Sequence, residues 1–101
     1  MKASTYSKFM STLSNRNANE KWPLTLKALW FDAKNDWHAA HDIVDGGHDQ
    51  MSKWVHAYLH RKEGDEWNAG YWYRQAGKPF PEVSLQEEHQ QLVEFMLADL
   101  D

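Results

Sequence analysis

Apolar residues recur every three or four positions along this chain, and polar or glycine-rich breaks divide them into runs. Tyr6, Phe9, Met10 and Leu13 fall at i, i+3, i+4 and i+7, the one-sided stripe of an amphipathic helix, with Ser4 or Thr5 placed to cap it. The polar, Asn-rich "SNRNANEK" that follows reads as a loop. Pro23 suits the first turn of a helix over 23–34 that puts Leu26, Leu29 and Trp30 on one face, with Ala33 adjoining. Asn35-Asp36 is a turn pair, and Asp36 can accept the unsatisfied N–H groups of a third helix, "WHAAHDIVD", which Gly46-Gly47 terminates. From Asp49 to Gly64 the pattern is helical again, with Met51, Trp54, Val55, Tyr58 and Leu59 on one arc. Asp65 is placed to cap the next helix, "EWNAGYWYRQA", which stops at Gly77. "KPFPEV" is an extended link, because each proline disfavours helix at the residue before it. Ser84 and Glu87 make an S-x-x-E capping box for a last helix, 85 to about 99, carrying Leu92, Phe95, Met96 and Leu100 on one face. No segment alternates as a strand does. The pattern predicts an all-α single domain of five or six short helices. Its parts are an N-terminal helix and loop (1–22), a first hairpin (23–47), a second (48–77), a link (78–83) and a capping helix (84–101).

The two hairpins share a spacing. Shifted by 29 residues, "ALWFDAKNDWHAAHDIV" (28–44) lies on "AYLHRKEGDEWNAGYWY" (57–73), so that Ala28 meets Ala57, Asp36 meets Asp65 and Ala40 meets Ala69. Asn35 meets Gly64 at the turn. A small residue in each helix, with a turn and a cap between them, is what two closely packed antiparallel helices require. The second unit resembles the tetratricopeptide helical hairpin, whose small, aromatic and proline positions are matched by Ala57, Ala69, Tyr73, Ala76 and Pro81. His60 stands in a slot usually aromatic and Lys53 in one usually Trp, and the first unit has Gly47 where a later Ala belongs, so both units are degenerate. The resemblance covers roughly residues 24–81. It implies tetratricopeptide-like hairpins with flanking helices and a role in binding a protein or peptide partner. "DWHAAH" followed by "WVHAYLHRKEGDEWNAGYWYRQAG" also resembles a set of small bacterial helical proteins, a resemblance that implies no particular activity.

Composition narrows the function classes. A net charge of −4 and the lack of any Lys/Arg run argue against duplex nucleic acid, which demands a concentrated basic surface. With no cysteine, disulfides and thiolate metal sites are excluded. No apolar stretch approaches the roughly 20 residues needed to span a bilayer, and no signal-peptide core opens the chain, so a cytoplasmic location without membrane contact is expected. No cofactor motif stands out. Six Trp in a chain this short either build the core or line a partner surface. Trp67, Tyr71 and Trp72 span more than one helix face, so not all of them can point at one core. The polar "EEHQQ" of the last helix supplies an outer face that would close the stack, and the N-terminal stripe would close the other end or pair two copies as a homodimer.

The histidines carry the candidate chemistry. His56 and His60 sit four apart, which places both imidazoles on one helix face as a zinc or nickel site requires. His38 and His41 could add ligands from the neighbouring helix, and Glu63, Asp42 or Asp65 could supply a carboxylate. Position 57 is Ala, so the H-E-x-x-H metalloprotease motif is absent. A second reading takes His41, His56, His60, Arg61, Glu63 and Trp72 as contacts for a small ligand, with His, Arg61, Glu63 and Asp65 available for acid–base work in an enzyme. The plain alternative makes the histidines packing groups that hydrogen-bond across helices, and Asp65 a helix cap. No nucleophile presents itself, for there is neither a Cys nor a G-x-S-x-G elbow.

Overall fold

The structure is a computed structural model and describes residues 5–100. Six α-helices lie among them: α1 (Thr5–Ser11), α2 (Leu24–Ala33), α3 (Trp37–Asp45), α4 (Gln50–Glu63), α5 (Glu66–Ala76) and α6 (Leu85–Leu100). A short 3-10 helix, Thr12–Ser14, prolongs α1. There is no strand among the described residues. Ser4, named above as a possible cap, lies outside them, as do residues 1–3 and Asp101.

Local chemistry sets the helix ends. The Asp36, Asp49 and Asp65 carboxylates accept the backbone N–H of Ala39, Ser52 and Asn68, each at 3.2 Å, satisfying donors that the first turn leaves unpaired. Ser84 and Glu87 form the reciprocal box: Glu87 N–H donates to Ser84 Oγ at 3.1 Å and Ser84 N–H to Glu87 Oε1 at 3.3 Å. The two hairpin turns repeat one hydrogen-bond scheme at the 29-residue offset. Asp36 N–H donates to Phe31 O and Asp65 N–H to His60 O, both at 2.9 Å. Asn35 (φ 65°) and Gly64 (φ 92°) take the left-handed conformation that this closure demands. The end of α3 differs. Gly46 stays at φ −93°, and the need for glycine falls on Gly47, where a Cβ would sit 2.3 Å from Ser52 Oγ.

α2 with α3 and α4 with α5 form two helical hairpins. Ala28, Ala40, Ala57 and Ala69 are completely buried where the paired helices approach. The core joins Phe9, Leu26, Leu29, Trp30, Val44, Val55, Tyr58, Leu59, Leu92 and Val93, with Ala57, Ala69 and Tyr73 packed together under α5. α4 is central. It packs on α2, α3, α5 and α6, and residues 55–60 are buried without a break. A helix enclosed on all sides must bury its polar side chains too, and each of those requires a partner. α1 docks on α6 of its own chain, with the Tyr6 hydroxyl 2.8 Å from His89 Nδ1.

Several expected positions differ. "EEHQQ" is not an outer face throughout, since Glu88 and His89 are buried; they precede Leu92 by four and three residues and share its side of α6. Phe95, expected in the core, is 57% exposed and lies on the rim beside Trp54, with ring centroids 5.9 Å apart. Met10 and Leu100 are likewise exposed. Among the described residues no helix is long and apolar enough to cross a membrane.

Candidate metal centre

α3 and α4 bring three imidazoles together. Trp37, His41 and Asp45 follow one another at i, i+4 and i+8 on one face of α3, and His56 and His60 stand one turn apart on the facing side of α4. His41 Nε2 and His56 Nε2 are 3.1 Å apart. Each of His41, His56 and His60 offers a nitrogen within 4.8 Å of the others'. Two metal–nitrogen bonds of about 2.0–2.1 Å at a tetrahedral angle separate their nitrogens by about 3.3–3.4 Å, so the His41–His56 pair already stands near ligand spacing.

Indole rings hold the imidazoles on both sides. Trp37 stacks on His41 (centroids 4.9 Å, 12° between planes), and Trp72 of α5 stacks on His56 (4.1 Å, 18°). Trp37 is itself fixed by its Nε1–H, which donates to Leu59 O at 2.8 Å. Glu63 fixes the third ring, because its Oε2 lies 2.7 Å from His60 Nδ1. A carboxylate there accepts a hydrogen bond from Nδ1–H and so leaves the lone pair on Nε2, the arrangement that carboxylates impose on metal-bound histidines. Asp45 Oδ1 stands 4.0 Å from His41 Nε2 and 3.9 Å from His56 Nε2, on an exposed side chain free to close the remaining distance.

Electrostatics favour a neutral His56. Burial, followed by the neighbouring His41 and His60, pushes His56 down to about 4, with Asp45 opposing weakly. A ring that is neutral at pH 7 keeps its lone pair, so a metal need displace no proton from it. In the metal-free state one of the two Nε2 atoms carries the proton and donates to the other.

Four of the six residues expected to contact a ligand converge here: His41, His56, His60 and Trp72, with Glu63 bound behind His60. Arg61 does not. One residue beyond His60 on a helix is about 100° round the axis, and Arg61 faces α6 instead. Its Nη1 donates to Glu88 Oε1 at 2.8 Å, and its Nη2 donates to Val83 O. The candidate ligands His38 and Asp42 are exposed on α3 and do not join the three imidazoles, although the His38 ring lies edge-on to Trp37 at 5.4 Å. Asp65 spends its carboxylate on the α5 cap, although one oxygen also comes near His60 and Glu63. Sequence reasoning missed Asp45 and the stacking partner Trp37, whose signal was the four-residue spacing to His41 on either side.

No protein-family model, curated protein or solved structure matches this chain.

Proposed function

We propose that the protein binds a late first-row divalent metal, zinc, nickel or copper, through His41, His56 and His60, with Asp45 completing the site and Glu63 orienting His60. The observation that carries this reading is the 3.1 Å approach of His41 Nε2 to His56 Nε2, with a third imidazole in the same cluster. Imidazole nitrogens suit these ions, whereas magnesium and calcium prefer an all-oxygen shell. An ion held there ties α3 of the first hairpin to α4 of the second. Calorimetric titration of untagged protein with zinc at neutral pH tests it. One site per chain is expected, lost in His56→Ala and His60→Ala, unchanged in His38→Ala, and weakened about 10–100-fold in Glu63→Gln. Equal binding by wild type and His56→Ala would refute it.

A second reading is supported by α5. Trp67 is 76% exposed and Tyr71, one turn further on, is 39% exposed. With the repeated turns, this favours a degenerate tetratricopeptide-like pair that offers an aromatic strip to a protein or peptide partner in the cytoplasm. A partner recovered by wild-type protein and lost by Trp67→Ala would support it; equal recovery by both would remove it.

A further inference from the structure

The face of α4 opposite the histidines builds a second polar cluster, which borders a cavity of about 320 Å³. Asp32 of α2 is 1% exposed. Its Oδ2 accepts the Tyr58 hydroxyl at 2.8 Å and its Oδ1 the Lys62 ammonium at 2.9 Å. Beside it His89 is locked by two bonds: Nδ1 accepts the Tyr6 hydroxyl, and Nε2 lies 3.2 Å from Leu29 O, to which it donates. Apolar walls come from Met10, Ala33 and Leu85. A mostly apolar recess of this size with a few converging polar groups has the make-up of a small-molecule site.

The polar groups decide what enters. Asp32 is buried and both its oxygens are occupied, so a ligand in the cavity cannot hydrogen-bond to it and meets its partner Lys62 instead. Lys62 differs: its side chain is 35% exposed, and only one of its three N–H donors is spent on Asp32. The charged group a ligand can reach is therefore the Lys62 ammonium, with the neutral Gln86 amide also lining the cavity. We propose that this cavity binds a small organic carboxylate with a short apolar body, its carboxylate on Lys62 and its body against Met10, Ala33 and Leu85. The site is separate from the histidine cluster and does not depend on the metal reading.

The test is an amide NMR titration of the full chain with sodium hexanoate, against sodium chloride, hexanol and hexylamine. Saturable shifts are expected at Met10, Ala33, Lys62 and Leu85 with hexanoate, and binding of hexanol and hexylamine at least about tenfold weaker, as loss of a charge-assisted hydrogen bond implies. The paired variant Asp32→Asn with Lys62→Met removes both charges without stranding a buried carboxylate, and should weaken hexanoate about tenfold or more. Ala33→Phe fills the recess from α2, leaves the ion pair in place, and should abolish binding if the paired variant does not fold. Absence of saturable shifts, equal response to hexanol, or full hexanoate binding by either folded variant would overturn the proposal.

Discussion

Replacing Arg61 with Met separates a structural role from a binding role for a residue that the sequence places beside the histidines. Glu88, which Arg61 holds, has a side chain only 2% exposed; that of Arg61 is 16% exposed. The carboxylate also accepts the Tyr73 hydroxyl at 2.6 Å and, more weakly, Trp54 Nε1–H at 3.3 Å. Burial, followed by the bond to Glu88, drives the Tyr73 phenol up, so it remains a donor. Removing one partner of a buried pair costs about 3–5 kcal/mol, because a charge is left in a poor solvent. Two neutral donors stay with Glu88, which places the expected loss near the lower end, about 3 kcal/mol. At roughly 4–8 °C per kcal/mol for a chain of this size, the melting temperature should fall by on the order of 15 °C. Arg61→Met with Glu88→Gln, where Gln still accepts from Tyr73 and Trp54, should recover most of the loss. Urea unfolding followed by circular dichroism, with the denaturant slope unchanged, measures each step. Zinc affinity of Arg61→Met below its transition should stay within about twofold of wild type, since Arg61 makes no contact with the imidazoles. A stability within about 0.5 kcal/mol of wild type, the scatter of an ordinary surface substitution, would refute the reasoning. A folded Arg61→Met that had lost zinc would return Arg61 to the site.

Further outcomes follow from the turns and from α6. A Cβ at Gly64 meets no atom within 4 Å, so Gly64→Ala should cost only its left-handed strain, about 1–2 kcal/mol by urea midpoint, whereas Asn35→Gly at the matching turn should be neutral or slightly stabilising. Burial holds His89 below the usual imidazole value, despite its bond to Leu29 O and the Asp32 charge. The unfolded chain then takes up a proton near pH 6.5 that the folded chain refuses, so stability falls as pH drops through 6.5 toward the lower folded value. His56, held down at about 4, contributes to the same slope, so His89→Gln, which can keep both hydrogen bonds, should reduce the slope between pH 7 and 5 without abolishing it; an unchanged slope would show that His89 does not contribute.

What could be read from the sequence follows from range. The caps at Asp36, Asp65 and Ser84 act over three residues, so the chain displays them directly. His56 and His60 share a face by helical spacing alone, and the match of Asn35 to Gly64 marked a turn that both hairpins close in the same way. Arg61 was misplaced because neighbours in sequence are not neighbours on a helix. Glu88 and His89 read as surface because charge ordinarily faces water; only the partners that α4 and α5 bring across the fold, Arg61, Trp54 and Tyr73, make burial of Glu88 affordable. Asp32 went unread for the same reason, since Tyr58 and Lys62 arrive from another helix.

The central claim is that His41, His56 and His60 act as one metal site. The most direct measurement is zinc-edge X-ray absorption on the one-to-one complex of untagged protein. Three imidazoles and one oxygen at about 2.0–2.1 Å are expected, falling to fewer imidazoles in His41→Ala. A shell of water oxygens with a single imidazole, unchanged in His41→Ala, would place the ion on a surface histidine such as His38 or His48 and contradict the claim.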